Sequence, residues 1–259
     1  MLGQLLIIDA VHSKSSRLSG LDEREYRNMD NRYSAGLLQS GGGVTAVIAQ
    51  NSLVSFAGAL PRQDREDVLD SVLYMRQQAN GRFDIRSDFK QWGLYYANGL
   101  LDLGWELDLT YAFEPSVPKL YESVLELIGD QVSAVKHSSI RDMAIKTFEA
   151  LNDDKSILSW FGEQVVVNDL ATFQTMPCIH DGNGDVYMFM LGMNMSVTRN
   201  LQEFLFPIRS RTGKAIVVEF GATGMSLSRS RYTGNREYVK SMLQARSLAS
   251  LRSYRLSPA

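Results

Sequence analysis

A chain of 259 residues, 44% hydrophobic and 22% charged, holds enough apolar material for a sizeable core. Its single cysteine, Cys178, excludes an intramolecular disulfide. The formal net charge is −2, but residues 209–259 carry ten Lys/Arg against Glu219 and Glu237, so the C-terminal part stands at +8 and the first 208 residues at −10; a basic C-terminal layer on an acidic body of the same molecule is one expectation, and nucleic acid, an anionic surface or the acidic end of a neighbouring copy are the others.

The N-terminus, Met1-Leu-Gly-Gln-Leu-Leu-Ile-Ile, has no basic start, and its apolar run stops at Asp9, too short for a secretory signal. The expectation is a cytoplasmic protein, or one exported without a cleavable signal. Leu5 to Val11 reads as a short strand. A serine-rich, charged stretch follows it, so residues 1–34 are expected to be peripheral to a single α+β domain spanning 1–259.

Residues 33–61 contain no charged side chain and are rich in Gly, Ala and Ser. Gln50, Asn51 and Ser52 interrupt them, and the ~20-residue apolar run of a membrane-spanning helix is missing. A buried strand pair or a tightly packed helix is expected, with lipid or membrane contact through 33–61 as the alternative. The glycines at 41–43 lack the Lys-Ser/Thr of a phosphate loop.

Residues 64–80 read as a helix. Asp64, Glu66 and Asp67 lie near its start, Val68, Leu69, Val72, Leu73 and Met75 form one apolar stripe, and Asn80-Gly81 is the expected stop, with Gly81 free to take a positive φ. Ser87 is the expected cap of a second helix carrying Phe89, Trp92, Tyr95, Tyr96, Leu100 and Leu101, ended by Gly104. From Trp105 to Phe113 every odd position is large and apolar, the signature of a half-covered strand. Helices are expected at 118–129 and about 137–152. A short apolar piece, Ile157 to Phe161, leads into Val165-Val-Val167.

The stretch from Phe173 to Phe220 reads as three strands around which the rest is organised. Asp181-Gly-Asn-Gly184 and Arg211-Thr-Gly-Lys214 are the turns. Residues 233–249 read as a last helix, and Leu251 to Leu256 as a closing strand. Helices grouped before hairpin-linked strands give an α+β class, a mostly antiparallel C-terminal sheet packed against N-terminal and central helices.

The block Ala59-Leu-Pro-Arg-Gln-Asp-Arg-Glu-Asp-Val-Leu-Asp-Ser-Val-Leu73, then Trp92-x-x-Tyr95, then Leu103-Gly-Trp105 resembles a poorly characterised microbial α+β family, over about residues 45–256. The resemblance implies a shared architecture and no known activity. In size and in one late cysteine the chain is also similar to the Erwinia virulence factor type of protein, an α/β family that carries a fatty acyl chain on a cysteine. Only Cys178 corresponds to that cysteine.

Chemistry-bearing constellations are few. Asp181-x-Asn183-x-Asp185 opens like a calcium loop, but Val186 and Gly192 stand where glycine and glutamate belong. Cys178 and His180 share a strand face about 7 Å apart, beyond hydrogen-bond reach for a thiolate pair. A hydrolase or transferase centred on Cys178, His180 and Asp181 is therefore the second reading. No cofactor or metal site is expected, since three histidines and one cysteine are too few and too scattered. Met188, Met190, Met193 and Met195 lie within eight residues and, with Cys178, form a candidate surface for lipid or a partner, because thioethers adapt to irregular shapes. The first reading is a non-enzymatic virulence-type or assembly protein, working through protein–protein or protein–lipid contact or self-association. Nucleic acid is disfavoured, as no recognised module accompanies the arginines.

Overall fold

The computed structural model describes residues 36–40, 44–108, 119–121, 123–132, 138–181, 183–197, 205 and 216–255. The expected strand Leu5–Val11, the peripheral stretch to residue 34, the turn at 211–214 and the continuation of the Trp105 strand beyond Asp108 lie outside these residues.

The charge-free segment forms a meander of strands rather than a helix: β1 (Gly36–Ser40), β2 (Val44–Ala49) and β3 (Ser52–Ala57). Gln50, at φ 58°, makes the tight turn between the last two. Its lack of charge follows from burial: Ala46, Val47, Ile48, Leu53, Val54 and Phe56 are all inside.

Helices α1 (Arg62–Asn80) and α2 (Phe89–Asp102) stand where periodicity puts them. Their ends differ in detail. Gly81 stays right-handed at φ −75°, closing α1 by donating to Gln77 O at 3.2 Å. Asp88, not Ser87, precedes α2 and caps it through its backbone carbonyl, which accepts from Trp92 N. Gly104 ends α2 at φ 110°, and a Cβ there would lie 2.9 Å from Tyr232 N.

Strand β4 (Trp105–Leu107) follows, then β5 (Lys119–Tyr121). The helix expected at 118–129 begins only at Val124, because 119–121 pair with the sheet and Ser123 Oγ accepts from Glu126 N at 3.1 Å. The remaining central helices are α3 (Val124–Val132), α4 (Ser138–Asp153) and α5 (Lys155–Val165). The apolar piece 157–161 is the inner side of α5. Its start is set by Asp154, whose Oδ1 accepts from Ser156 N at 3.0 Å and Ile157 N at 3.1 Å. Strand β6 (Val166–Val167) turns at Asn168 and Asp169, both with positive φ, into β7.

The expected three-strand centre is present as β7 (Leu170–His180), β8 (Val186–Ser196) and β9 (Ile216–Leu227), paired antiparallel along most of their length. Asp181 Oδ1 accepts from Asn183 N and Asp185 N, both at 2.9 Å, and so fixes the predicted turn. Pro177 sits mid-strand, and the β7–β8 ladder skips Met176 and Pro177, as the missing N–H requires. Helix α6 (Arg229–Arg255) is longer than expected. It absorbs residues 251–255, read from sequence as a strand, because no glycine or proline interrupts the chain between Asn235 and Pro258.

The sheet runs β1-β2-β3-β7-β8-β9-β4, with β5 beside the other end of β9 and β6 beside β7. Only β3–β7 is parallel among the described pairs. Helices cover both sides, which makes this a mostly antiparallel α+β fold. One face carries Phe173, Ile179, Phe189, Leu191, Met193 and Phe220, packed in one core with Leu127, Phe148 and Phe161 of α3–α5. The opposite face lies against α1 and α2: Arg76 bonds to Gln174, and Phe89 closes on the space a side chain at Gly192 would fill.

Candidate functional site

Period-two alternation decides where the sequence-selected residues go. Cys178 and Met188 are register partners, Met188 pairs in turn with Met225, and Phe56 lies beside Cys178, so Phe56, Cys178, Met188 and Met225 form one row across the α1/α2 face. Met190 shares that face and receives Gln174 Nε2 on its sulfur at 3.7 Å. Met193 and Met195 lie on the other side. Met193 stands between Phe173 and Phe220, and Met195 between Ala171 and Val218. All five side chains are buried. The four methionines therefore fill two cores.

The Cys178 thiol donates weakly to Met176 O at 3.4 Å, and burial pushes its pKa far above the ordinary thiol value. A protonated, enclosed thiol is a poor nucleophile. His180 shares the face, as expected, but turns to α1 rather than to the thiol. Its Nε2 lies 3.1 Å from Asp64 Oδ2 and 3.4 Å from Arg229 Nη2. Asp181 is occupied by the turn. The three residues do not converge on a reaction centre.

A charged seam joins α1 to α6, an instance of a basic C-terminal layer resting on the acidic body, with pairs that the sequence did not name. Asp64, 7% exposed, accepts from Arg229 Nη2 at 2.6 Å. Asp67, 3% exposed, is gripped twice by Arg236, Nε to Oδ1 at 2.8 Å and Nη2 to Oδ2 at 2.6 Å. Hydrogen bonding to Asp67 raises the Arg236 pKa. Between them Tyr232 is fully enclosed; burial, helped by Asp70 and Asp67, pushes its phenol pKa up. Further along, Tyr74 donates to Tyr238 Oη at 3.3 Å. The signal was present as Asp64-x-x-Asp67 on one helix and Arg229-x6-Arg236 on another. Nothing local connects them.

Deeper on the same helix, Arg76 is 1% exposed, with Ser52 and Gln174 as neutral partners and the Trp92 ring 5.5 Å from its Cζ. Burial lowers its pKa to about 10, against a smaller opposing effect of Tyr96, so it stays charged at neutral pH. Trp92 stacks on Tyr96 at 4.9 Å and donates to Asn80 Oδ1 at 2.7 Å. Among the described residues no group of three or more His, Cys, Asp or Glu is placed to hold a metal, and no helix is long and apolar enough to cross a membrane.

No protein-family model matches the chain, and no curated protein matches it. Solved structures do resemble it. The activated Cyt2Ba monomer from Bacillus thuringiensis subsp. israelensis aligns at TM-score 0.42 and 12% identity, over 69% of this chain and 97% of that one. A delta-endotoxin aligns at 0.39 and 11%, over 70% and 84%. The Evf virulence factor aligns at 0.36 and 11%, over 86% and 89%.

Proposed function

We propose that this chain is a toxin- or virulence-type protein that works by contact with lipid, through its central sheet, and not by covalent catalysis at Cys178. One observation carries the reading: β7, β8 and β9, of 11, 11 and 12 residues, make a two-sided sheet. One side presents Phe173, Ile179, Phe189, Leu191, Met193 and Phe220. The other mixes Met and Cys with Thr172, Gln174, Asn194 and Thr223. A tilted strand of about 9–11 residues spans a bilayer's hydrocarbon, and membrane strands turn one apolar side to the lipid, as the Phe-rich side could. In the closed chain both sides are covered by helices, so contact requires a helical layer to move off. The buried, protonated Cys178 supports the choice against the hydrolase or transferase reading.

Dye-loaded vesicles and limited proteolysis test it. The expected result is dye release, with residues 170–227 recovered as a protected fragment only when vesicles are present. A chain that releases no dye and gains no protection there sinks the reading.

A further inference from the structure

We infer that Asn183-Gly184, at the tip of the β7–β8 hairpin, is a site of spontaneous modification, where the asparagine side chain passes through a cyclic imide to aspartate and isoaspartate.

The chemistry needs an asparagine followed by a residue with no Cβ, because the next backbone nitrogen must come close to the side-chain carbon. The chain holds three such pairs, Asn80-Gly81, Asn98-Gly99 and Asn183-Gly184. All three asparagines are exposed, so access to water does not separate them. Backbone placement does. Asn98-Gly99 lies inside α2, where Gly99 is packed so closely that a Cβ there would collide with Met75. Asn80 ends α1. Its Oδ1 accepts from Trp92 Nε1 at 2.7 Å, and Gly81 N donates back into the helix, to Gln77 O at 3.2 Å. Bringing either side chain onto the following nitrogen requires a turn of helix to open.

Asn183 is held by less. Its backbone N–H donates to Asp181 Oδ1, but among the described residues its carboxamide has no hydrogen-bond partner. Gly184 holds φ 85°, and a Cβ there would meet nothing within 4 Å, so the ring has room to form. The Gly184 N–H donates to Asp181 O at 3.2 Å, a bond of the hairpin tip and not of a helix. Tips open at little cost in free energy, whereas helical turns open together with their neighbours.

The step balances without an oxidant. Gly184 N gives its proton to solvent base and bonds to Asn183 Cγ. The Cγ–Nδ2 bond breaks, and that nitrogen leaves as ammonia. Water then opens the ring at either carbonyl, giving aspartate or isoaspartate. The product puts a carboxylate two residues from Asp185, whose Oδ1 accepts from Arg229 N at 3.5 Å at the start of α6. Isoaspartate also lengthens the turn by one backbone atom. The mark therefore accumulates where the hairpin meets the Arg229–Asp64 pair.

The test is to incubate the full chain, native and in denaturant, at neutral and at raised pH, and to map its peptides by mass spectrometry that separates aspartate from isoaspartate. In the native chain Asn183 is expected to convert about tenfold or more faster than Asn80 or Asn98, the helical pairs being slowed by their opening equilibria. Isoaspartate is expected alongside aspartate, and the rate is expected to rise with pH. In denaturant the three sites are expected to become comparable. N183Q is expected to abolish conversion in this peptide. A native rate at Asn183 no greater than at the helical pairs overturns the inference, as does aspartate formed without isoaspartate, which would mean direct hydrolysis. The wild-type comparison decides the matter even if the variant does not fold.

Discussion

Arg236 holds Asp67 by two parallel hydrogen bonds, 2.8 and 2.6 Å, across the seam between α6 and α1. The carboxylate is 3% exposed while the guanidinium is 22% exposed, so truncating the arginine strands a buried charge. Such losses cost about 3–5 kcal/mol, and replacing both partners costs less. Arg236→Ala is expected to destabilise the chain by about 3 kcal/mol in urea unfolding, and Asp67→Asn combined with Arg236→Ala by distinctly less. A single variant within 0.5 kcal/mol of wild type, near the low end of what exposed pairs contribute, would show the seam to be weak.

Arg76 is the reverse case, an enclosed cation with neutral hydrogen-bond partners. Burial lowers its pKa from the ordinary guanidinium value to about 10, a difference on the order of 3 kcal/mol against the folded state at neutral pH. The sign follows from proton counting. Below pH 10 both states hold the proton and the penalty is complete; above about 10, and up to the ordinary guanidinium value, the unfolded state binds more protons, so stability contributed by this group rises with pH. Arg76→Met is expected to match or exceed wild-type stability at pH 7, with the gap narrowing from pH 9 towards 11. A loss above 2 kcal/mol at pH 7 would mean that its bonds to Ser52 and Gln174 outweigh its desolvation.

Cys178 is expected to resist thiol reagents in the folded chain, since it is fully buried and its thiol is held protonated. Reaction with a colorimetric disulfide at pH 8 is expected to be at least a hundredfold faster in denaturant. Prompt labelling of the native chain would reopen the covalent reading.

Much of the architecture was legible because it is locally encoded. The α1 stripe Val68, Leu69, Val72, Leu73, the Trp92/Tyr96 helix and the Asp181 turn each carry their signal within a few residues. The failures have local reasons too. Asp154 is a good helix start, but the short apolar run after it hid α5. Residues 251–255 looked strand-like in isolation and are helical because they continue α6. The methionines were separable from sequence, since 188 and 190 differ in parity from 193 and 195 and must face apart in a strand. The charge split allowed a basic C-terminal layer on an acidic body, but the pairs that make the seam were not legible. Asp67 and Arg236 are 169 positions apart, and each looks like an ordinary solvated side chain until the partner helix is placed.

The parallel join of β3 to β7 bears on how the molecule assembles. Ser52 and Gln174 meet across 122 positions of chain, whereas β7 and β8 close through a turn at Asp181. Loop-closure entropy favours the near pairing, so the later meander can nucleate by itself and the early one must wait for an uncovered edge of β7. During that interval the edge is a template for any extended peptide, and the yield of correctly assembled chain is set by a race between docking of the molecule's own first strands and aggregation with those of a neighbour.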